Sequence, residues 1–186
     1  MDLNKIHRIP MEEVPTDIEW VRGWDPAISD RSTADSTAGA LCACRFDADH
    51  NVSELYIIDM IKEQMAWAKM RFTVIETAQN EALMKGVNRI GIEGVAGFAA
   101  VFQDVKAALL GRVNVTQRNF RGGKLLRATA WLNLVEGGRV YMVRGGWNRE
   151  FELELEKFPL GAHDDQIDAV SIAWETLISR SNLLLA

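Results

Sequence analysis

Asp25, Glu93, Asp164, Asp165 and Asp168 are the residues of this chain whose types and placement suggest chemistry. Asp25 is followed by Pro26 and Glu93 by Gly94, residues that stop a strand, so each acid stands at the carboxyl end of an extended segment. The other three lie in Phe158-Pro-Leu-Gly-Ala-His163-Asp164-Asp165-Gln-Ile-Asp168, where Pro159 and Gly161 form a turn and the acids open a helix. Asp168 follows Asp164 at i+4 on the face bearing Ser171, while Ile167, Val170, Trp174, Leu177 and Ile178 form an apolar stripe. Acids in a first helical turn also serve as ordinary caps and dipole partners, so neither Asp164 nor Asp165 is diagnostic alone. Three or four carboxylates at one spot repel each other unless a cation neutralises them, and hard oxygen donors suit Mg²⁺ or Mn²⁺. Two such ions about 4 Å apart activate a water and stabilise the leaving oxygen in phosphodiester cleavage.

These acids meet only if the elements carrying them are neighbours. Alternation predicts a strand over 18–24, and small and apolar residues a second over Thr37–Phe46. A third is predicted over 54–61, and short turns join the three as an antiparallel meander. A helix over 64–85, with Met65, Ala68, Phe72, Ile75 and Ala82 near helical spacing, ends at Gly86 as its cap. Then come a strand at Arg89–Glu93, a helix over 99–111, a strand over 113–120, a helix at Lys124–Glu136 and a strand over 139–144. A short helix at Asn148–Lys157 and a closing helix over 164–179 complete the chain. The order indicates an α/β or α+β sheet covered by helices on both faces. If the segments 18–24 and 89–93 lie side by side, Asp25 and Glu93 share one rim. Residues 1–17, polar and with Pro10 and Pro15, are expected to form an arm or linker, and the folded unit to start near Ile18.

The 186 residues, 48% hydrophobic and 25% charged, suit one domain with a full core. No run approaches the roughly 18 apolar residues of a membrane span, and the N-terminus lacks the apolar stretch of a signal peptide, so a cytoplasmic protein without a membrane partner is expected. Cys42 and Cys44, at i, i+2 on a strand, are expected as core residues, and with no histidine at ligand spacing they give no zinc site. Nor is there a GxxxxGK[ST] phosphate loop. The net charge of −5 conceals an asymmetry: residues 112–149 carry eight basic residues against the single acid Glu136, which leaves 13 basic and 25 acidic residues elsewhere. One basic strip on an acidic molecule suits a polyanion arriving from one side.

Several motifs occur in a telling order: Gly23-Trp24-Asp25-Pro26-Ala27 with Asp35-Ser-Thr-Ala-Gly, Glu93-Gly94 with Phe102-Gln103, Lys124-Leu-Leu-Arg127-Ala128, Glu136-Gly-Gly-Arg139-Val140, and Phe158 to Ala169. Over about residues 20–177 they resemble the C-terminal nuclease domain of tailed-bacteriophage large terminase subunits. The closing Phe-Pro-x-Gly-x-His-Asp-Asp run is the most specific of them. The resemblance implies a ribonuclease H-like mixed sheet, antiparallel in its first three strands, over residues 18–186. It also implies a metal-dependent endonuclease that cuts concatemeric viral double-stranded DNA during packaging, in the host cell cytoplasm. Asp25, Glu93, Asp164 and Asp165 match the family's catalytic acids, which hold two Mg²⁺ or Mn²⁺ ions. His163 and Asp168 are candidates to support them from behind, and Arg118, Arg121, Lys124 and Arg127 are candidates to touch DNA. Asp30 and Asp35 are expected to shape the loop after the first strand. In the full motor the partners implied are an ATPase domain, a portal protein and a small terminase subunit. Because the chain has no Walker motif, an isolated nuclease domain that does not translocate DNA by itself is expected. Two alternatives use the same residues: another ribonuclease H-like nuclease of resolvase or transposase type, or a noncatalytic DNA-clamping or motor-docking domain whose acids are only caps.

Overall fold

The computed structural model describes residues 1–27, 36–94, 99–120 and 122–184. Its strands are β1 (Ile6–Ile9), β2 (Trp20–Asp25), β3 (Thr37–Phe46), β4 (Val52–Glu63), β5 (Arg89–Glu93), β6 (Asn114–Arg118) and β7 (Val140–Val143). The helices are α1 (Trp67–Lys85), α2 (Ala99–Ala108), α3 (Lys124–Glu136), α4 (Asn148–Lys157) and α5 (Asp165–Leu184). The strands form a mixed sheet in the order β1-β7-β4-β3-β2-β5-β6. β2, β3 and β4 make the expected antiparallel meander, while β5 runs parallel to β2, β6 to β5, and β7 to both β4 and β1.

Helices cover both faces. On one, Ala128, Trp131 and Val135 of α3, Phe151 and Leu155 of α4, and Ile167, Val170, Trp174 and Leu177 of α5 pack with Cys42, Cys44, Leu55 and Val140 of the sheet. The stripe expected on α5 is buried, apart from the half-buried Ile178, and so is the face bearing Asp168 and Ser171; both cysteines are free thiols in the core. On the other face, Met70, Val74 and Ala78 of α1 and Val101, Phe102 and Val105 of α2 close over Trp24, Ile90 and Ile92.

Two expectations change. Residues 1–17 contain β1, which pairs with β7 through Ile6↔Val140 and Ile9↔Val143, with both isoleucines buried. The arm is thus part of the sheet, and four residues whose partner lies more than 130 residues along the chain carry no local pattern to announce it. On α1 the inward face is Met70, Val74, Ala78 and Glu81, whereas Phe72 is 62% exposed. The reason is electrostatic. Arg22 of β2 is fully buried, donating to both Glu81 carboxylate oxygens at 2.9 and 2.6 Å, to Asp59 at 2.6 Å and to the Gly39 carbonyl at 2.7 Å. A buried guanidinium must be paired, so the helix turns Glu81 inward and gives up Phe72. Gly86, in the left-handed conformation at φ 68°, ends α1 as expected.

Candidate active site

The register of β2 on β5 (Gly23↔Gly91, Trp24↔Ile92) carries forward to set Asp25 beside Glu93 at the carboxyl rim, where the two side chains are hydrogen-bonded. Bringing α5 to the same rim requires close approach of backbone to backbone. A Cβ at Gly23 would lie 2.3 Å from the Ala173 nitrogen and 2.4 Å from the Ala169 carbonyl oxygen, and one at Gly91 would lie 2.1 Å from Thr176 Oγ1. Glycine at these two positions lets α5 sit on β2 and β5, which brings Asp165 and Asp168 into the electrostatic neighbourhood of Asp25.

The helix start itself is held by another residue. After the cis Phe158–Pro159 bond, the amides of Gln166 and Ile167 donate to Glu154 Oε1 of α4 at 2.7 and 3.2 Å, and Gln166 Nε2 reaches Glu154 Oε2 at 2.9 Å. Glu154 therefore caps the helix, and Asp164 and Asp165 are directed elsewhere: Asp165 accepts from the Ser36 amide at 3.3 Å, and Asp164 meets Lys124 at 2.5 Å.

Lys124 belongs to the first turn of α3, which docks on α5 with Trp131 Nε1 donating to Ser171 Oγ at 3.0 Å. Lys124, Arg127 and Trp131 form one helical stripe laid against Asp164, Asp168 and Ser171. Lys124 lies 3.2 Å from Asp168 as well as 2.5 Å from Asp164. Arg127, its side chain only 9% exposed, bridges Glu93 at 2.5 Å and Asp168 at 3.1 Å, with the Phe120 ring 4.4 Å from its guanidinium carbon. Five carboxylates thus share one rim with two internal cations.

Their protonation follows from crowding. Burial raises the Asp25 carboxyl well above the usual range, helped by its hydrogen bond to Glu93 and by the charges of Glu93, Asp168 and Asp165. Burial also pushes Asp168 up to about 6, against the pull of Arg127 and Lys124. Burial works against the Lys124 charge, but Asp164 and Asp168 outweigh it and raise its pKa.

The all-oxygen donor set and the uncompensated crowding at Asp25 fit a hard divalent cation. Among the described residues no three His, Cys, Asp or Glu side chains are arranged to hold one as they stand. The oxygens of Glu93, Asp164 and Asp168 are turned toward Arg127 and Lys124 instead.

The acids named from sequence are brought together, but the basic residues are not one strip. Lys124 and Arg127 lie on the acids. Arg118, whose Cα is the partner of Glu93, sends its side chain along α5 to Thr176 and Ser179. Arg139 and Arg144 flank β7, on the far side of β4, β3, β2 and β5 from β6. His163 is exposed and lines a separate groove with Lys62, Glu150 and Glu154. Arg121, Asp30 and Asp35 lie outside the described residues. Glu154 and the Arg127 bridge were not found from sequence, since neither a buried acid in Glu-Leu-Glu-Leu-Glu nor the direction of a side chain is marked there.

A family model described as a terminase RNaseH-like domain matches residues 22–176. No curated protein sequence matches the chain. Among similar solved structures, the human cytomegalovirus terminase nuclease domain, manganese-soaked and inhibitor-bound, gives a TM-score of 0.61 at 12% identity over 90% of this chain and 88% of that one. The large terminase nuclease from thermophilic phage G20c with bound magnesium gives 0.59 at 17% identity over 93% and 94%. The nuclease domain of the large terminase subunit of bacterial virus Sf6 gives 0.57 at 13% identity over 88% and 90%. These likenesses show the fold, a ribonuclease H-like mixed sheet.

Proposed function

Given that this chain belongs to the terminase RNaseH-like domain family, we propose that it is a divalent-metal-dependent endodeoxyribonuclease that cuts concatemeric double-stranded viral DNA during genome packaging. The observation that carries this reading is the convergence of Asp25, Glu93, Asp165 and Asp168 on one rim, with Asp164 joined to them through Lys124. Asp25, Glu93, Asp164 and Asp165 would hold two Mg²⁺ or Mn²⁺ ions. When bound, such ions supply a water of lowered pKa and Lewis-acid stabilisation of the leaving oxygen.

The chain's own groups prepare the site. Arg127 and Asp168 orient Glu93, Lys124 orients Asp164, and the Ser36 amide holds Asp165. Glu154 frees the two helix-start acids from capping. His163, exposed and beside Glu154 in its groove, would act on the helix start and not on the reacting phosphate. The protein would act in the host cytoplasm beside an ATPase domain, a portal protein and a small terminase subunit; among the described residues no helix is long and apolar enough to cross a membrane.

One observation favours the noncatalytic reading: the acids are already paired with Lys124 and Arg127. Plasmid digestion decides between the two. The protein is expected to nick and linearise supercoiled DNA with Mn²⁺ or Mg²⁺ but not with EDTA, and Asp25→Asn to be inactive with either metal. No cleavage by the wild type under any of these conditions would overturn the nuclease reading.

A further inference from the structure

β6 closes one edge of the sheet, with β5 on one side and no strand on the other among the described residues. Alongside it runs a groove of about 820 Å³ whose charged lining is Arg89, Lys106, Arg112 and Arg118, with no acidic residue. Arg118 is the unusual member. It is half-buried, and it donates to hydroxyls, Thr176 Oγ1 at 3.2 Å and Ser179 Oγ at 2.7 Å. No carboxylate among the described residues stands within ion-pair distance of it. Glu175 acts on it only from farther away, and both burial and the Arg89 charge lower its pKa. Arg89 shares the Ser179 hydroxyl at 3.4 Å while pairing with Glu19 at 3.0 Å. Lys106 and Arg112 are exposed and form no ion pair among the described residues.

A half-buried guanidinium left without a counterion beside a second one is electrostatically costly unless an anion from outside completes it. We propose that this groove binds the phosphate backbone of double-stranded DNA, with Arg118, Arg112 and Lys106 as its phosphate contacts. The identity of the polyanion as DNA rests on the nuclease reading; the affinity for phosphate does not. Position supports it. The groove begins one strand from the acidic rim, since Arg118 is the register partner of Glu93, and runs back along the five residues of β6. At about 3.3 Å per residue this is ~16 Å, or roughly five nucleotide rises of a duplex strand. The open edge of β6 also offers backbone N–H groups, which commonly contact phosphates.

The test is binding of a fluorescein-labelled 20-base-pair duplex in EDTA, so that neither metal nor cleavage enters, across a salt series. Lys106→Gln with Arg112→Gln, both at exposed positions, is expected to flatten the log-log salt slope by about 1.8, since each phosphate contact contributes roughly 0.9. It should weaken binding at 0.1 M salt by roughly tenfold or more. Arg118→Gln should add about another 0.9 to the loss of slope. The control is Arg144→Gln with Arg149→Gln, which removes the same charge near β7, far from the groove, and is expected to leave the slope within half a unit. Groove variants that bind within twofold of wild type, or a control that loses as much as they do, would overturn the proposal. Metal-supported plasmid cleavage by the same proteins separates the two readings. Loss of binding in the groove variants with no cleavage by wild type refutes the nuclease and keeps the groove. Wild-type cleavage with unchanged binding in the groove variants refutes the groove alone.

Discussion

Arg127 ties together acids from two different elements, Glu93 of β5 and Asp168 of α5, and its own buried Nε has no hydrogen-bond partner among the described residues. Together with Lys124 it neutralises part of a cluster that would otherwise push its members apart, yet Asp25 receives no such partner among the described ion pairs and its pKa stays well above normal. A carboxyl whose pKa is higher folded than unfolded contributes no penalty below the unfolded value near 3.8. It destabilises progressively as pH rises through the folded one, because the unfolded chain releases the proton first. The metal-free wild type should therefore lose stability as pH rises above about 4, with Asp168 contributing between 3.8 and about 6. Asp25→Asn keeps a hydrogen-bonding partner for Glu93 and removes the charge. In EDTA it should melt higher than wild type at pH 7 to 8, with the gap closing toward pH 4. Melting curves for the two proteins that run together across that range would show that the crowding at Asp25 costs no stability.

At the scale of elements, the site depends on how closely α5 lies on the sheet. Gly23→Ala places a methyl against backbone atoms of Ala169 and Ala173 that cannot rotate away. Overpacking of this kind costs about 1–3 kcal/mol, and at about 2–4 °C per kcal/mol for a chain of this length the melting temperature should fall by roughly 2–12 °C. Cleavage should fall with it, because Asp165 and Asp168 ride on the displaced helix; an unchanged melting temperature would mean the contact is looser than its geometry indicates. Much of this architecture is legible in sequence. The meander, the alternation of helices and strands, the α5 stripe and the strand-ending acids Asp25 and Glu93 all follow from period and from Pro26 and Gly94. What is not legible are the charges that go inside. Arg22, Glu81 and Glu154 look like solvated residues until a partner from a distant element buries them, and the inward face of α1 is set by such a pair and not by its most apolar side chains. β1 escapes for a related reason: its hydrogen bonds go to a strand more than a hundred residues away.

Across the whole molecule, the basic residues that look contiguous between positions 112 and 149 are dealt to three places: the open edge at β6, the acidic rim, and the surroundings of β7. An acidic rim next to a basic groove is the arrangement that lets one face repel a polyanion's charge while the adjoining one holds it. The sheet's other border has a different consequence, in time instead of space. β1 can pair only once β7 has been made and placed, and Ile6 and Val140 are 134 residues apart in the chain. Closing so long a loop is entropically slow, so this pairing should come after the rate-limiting step of folding, when the meander and its covering helices are already assembled. Ile6→Ala is then expected to speed unfolding while leaving the refolding rate nearly unchanged, as stopped-flow measurements in urea would read directly. A refolding rate that falls in proportion to the lost stability would instead put β1 in the folding nucleus. If β1 does join last, the edge of β7 stands bare for a period after synthesis, and β1 acts as a built-in guard that seals it against pairing with another chain.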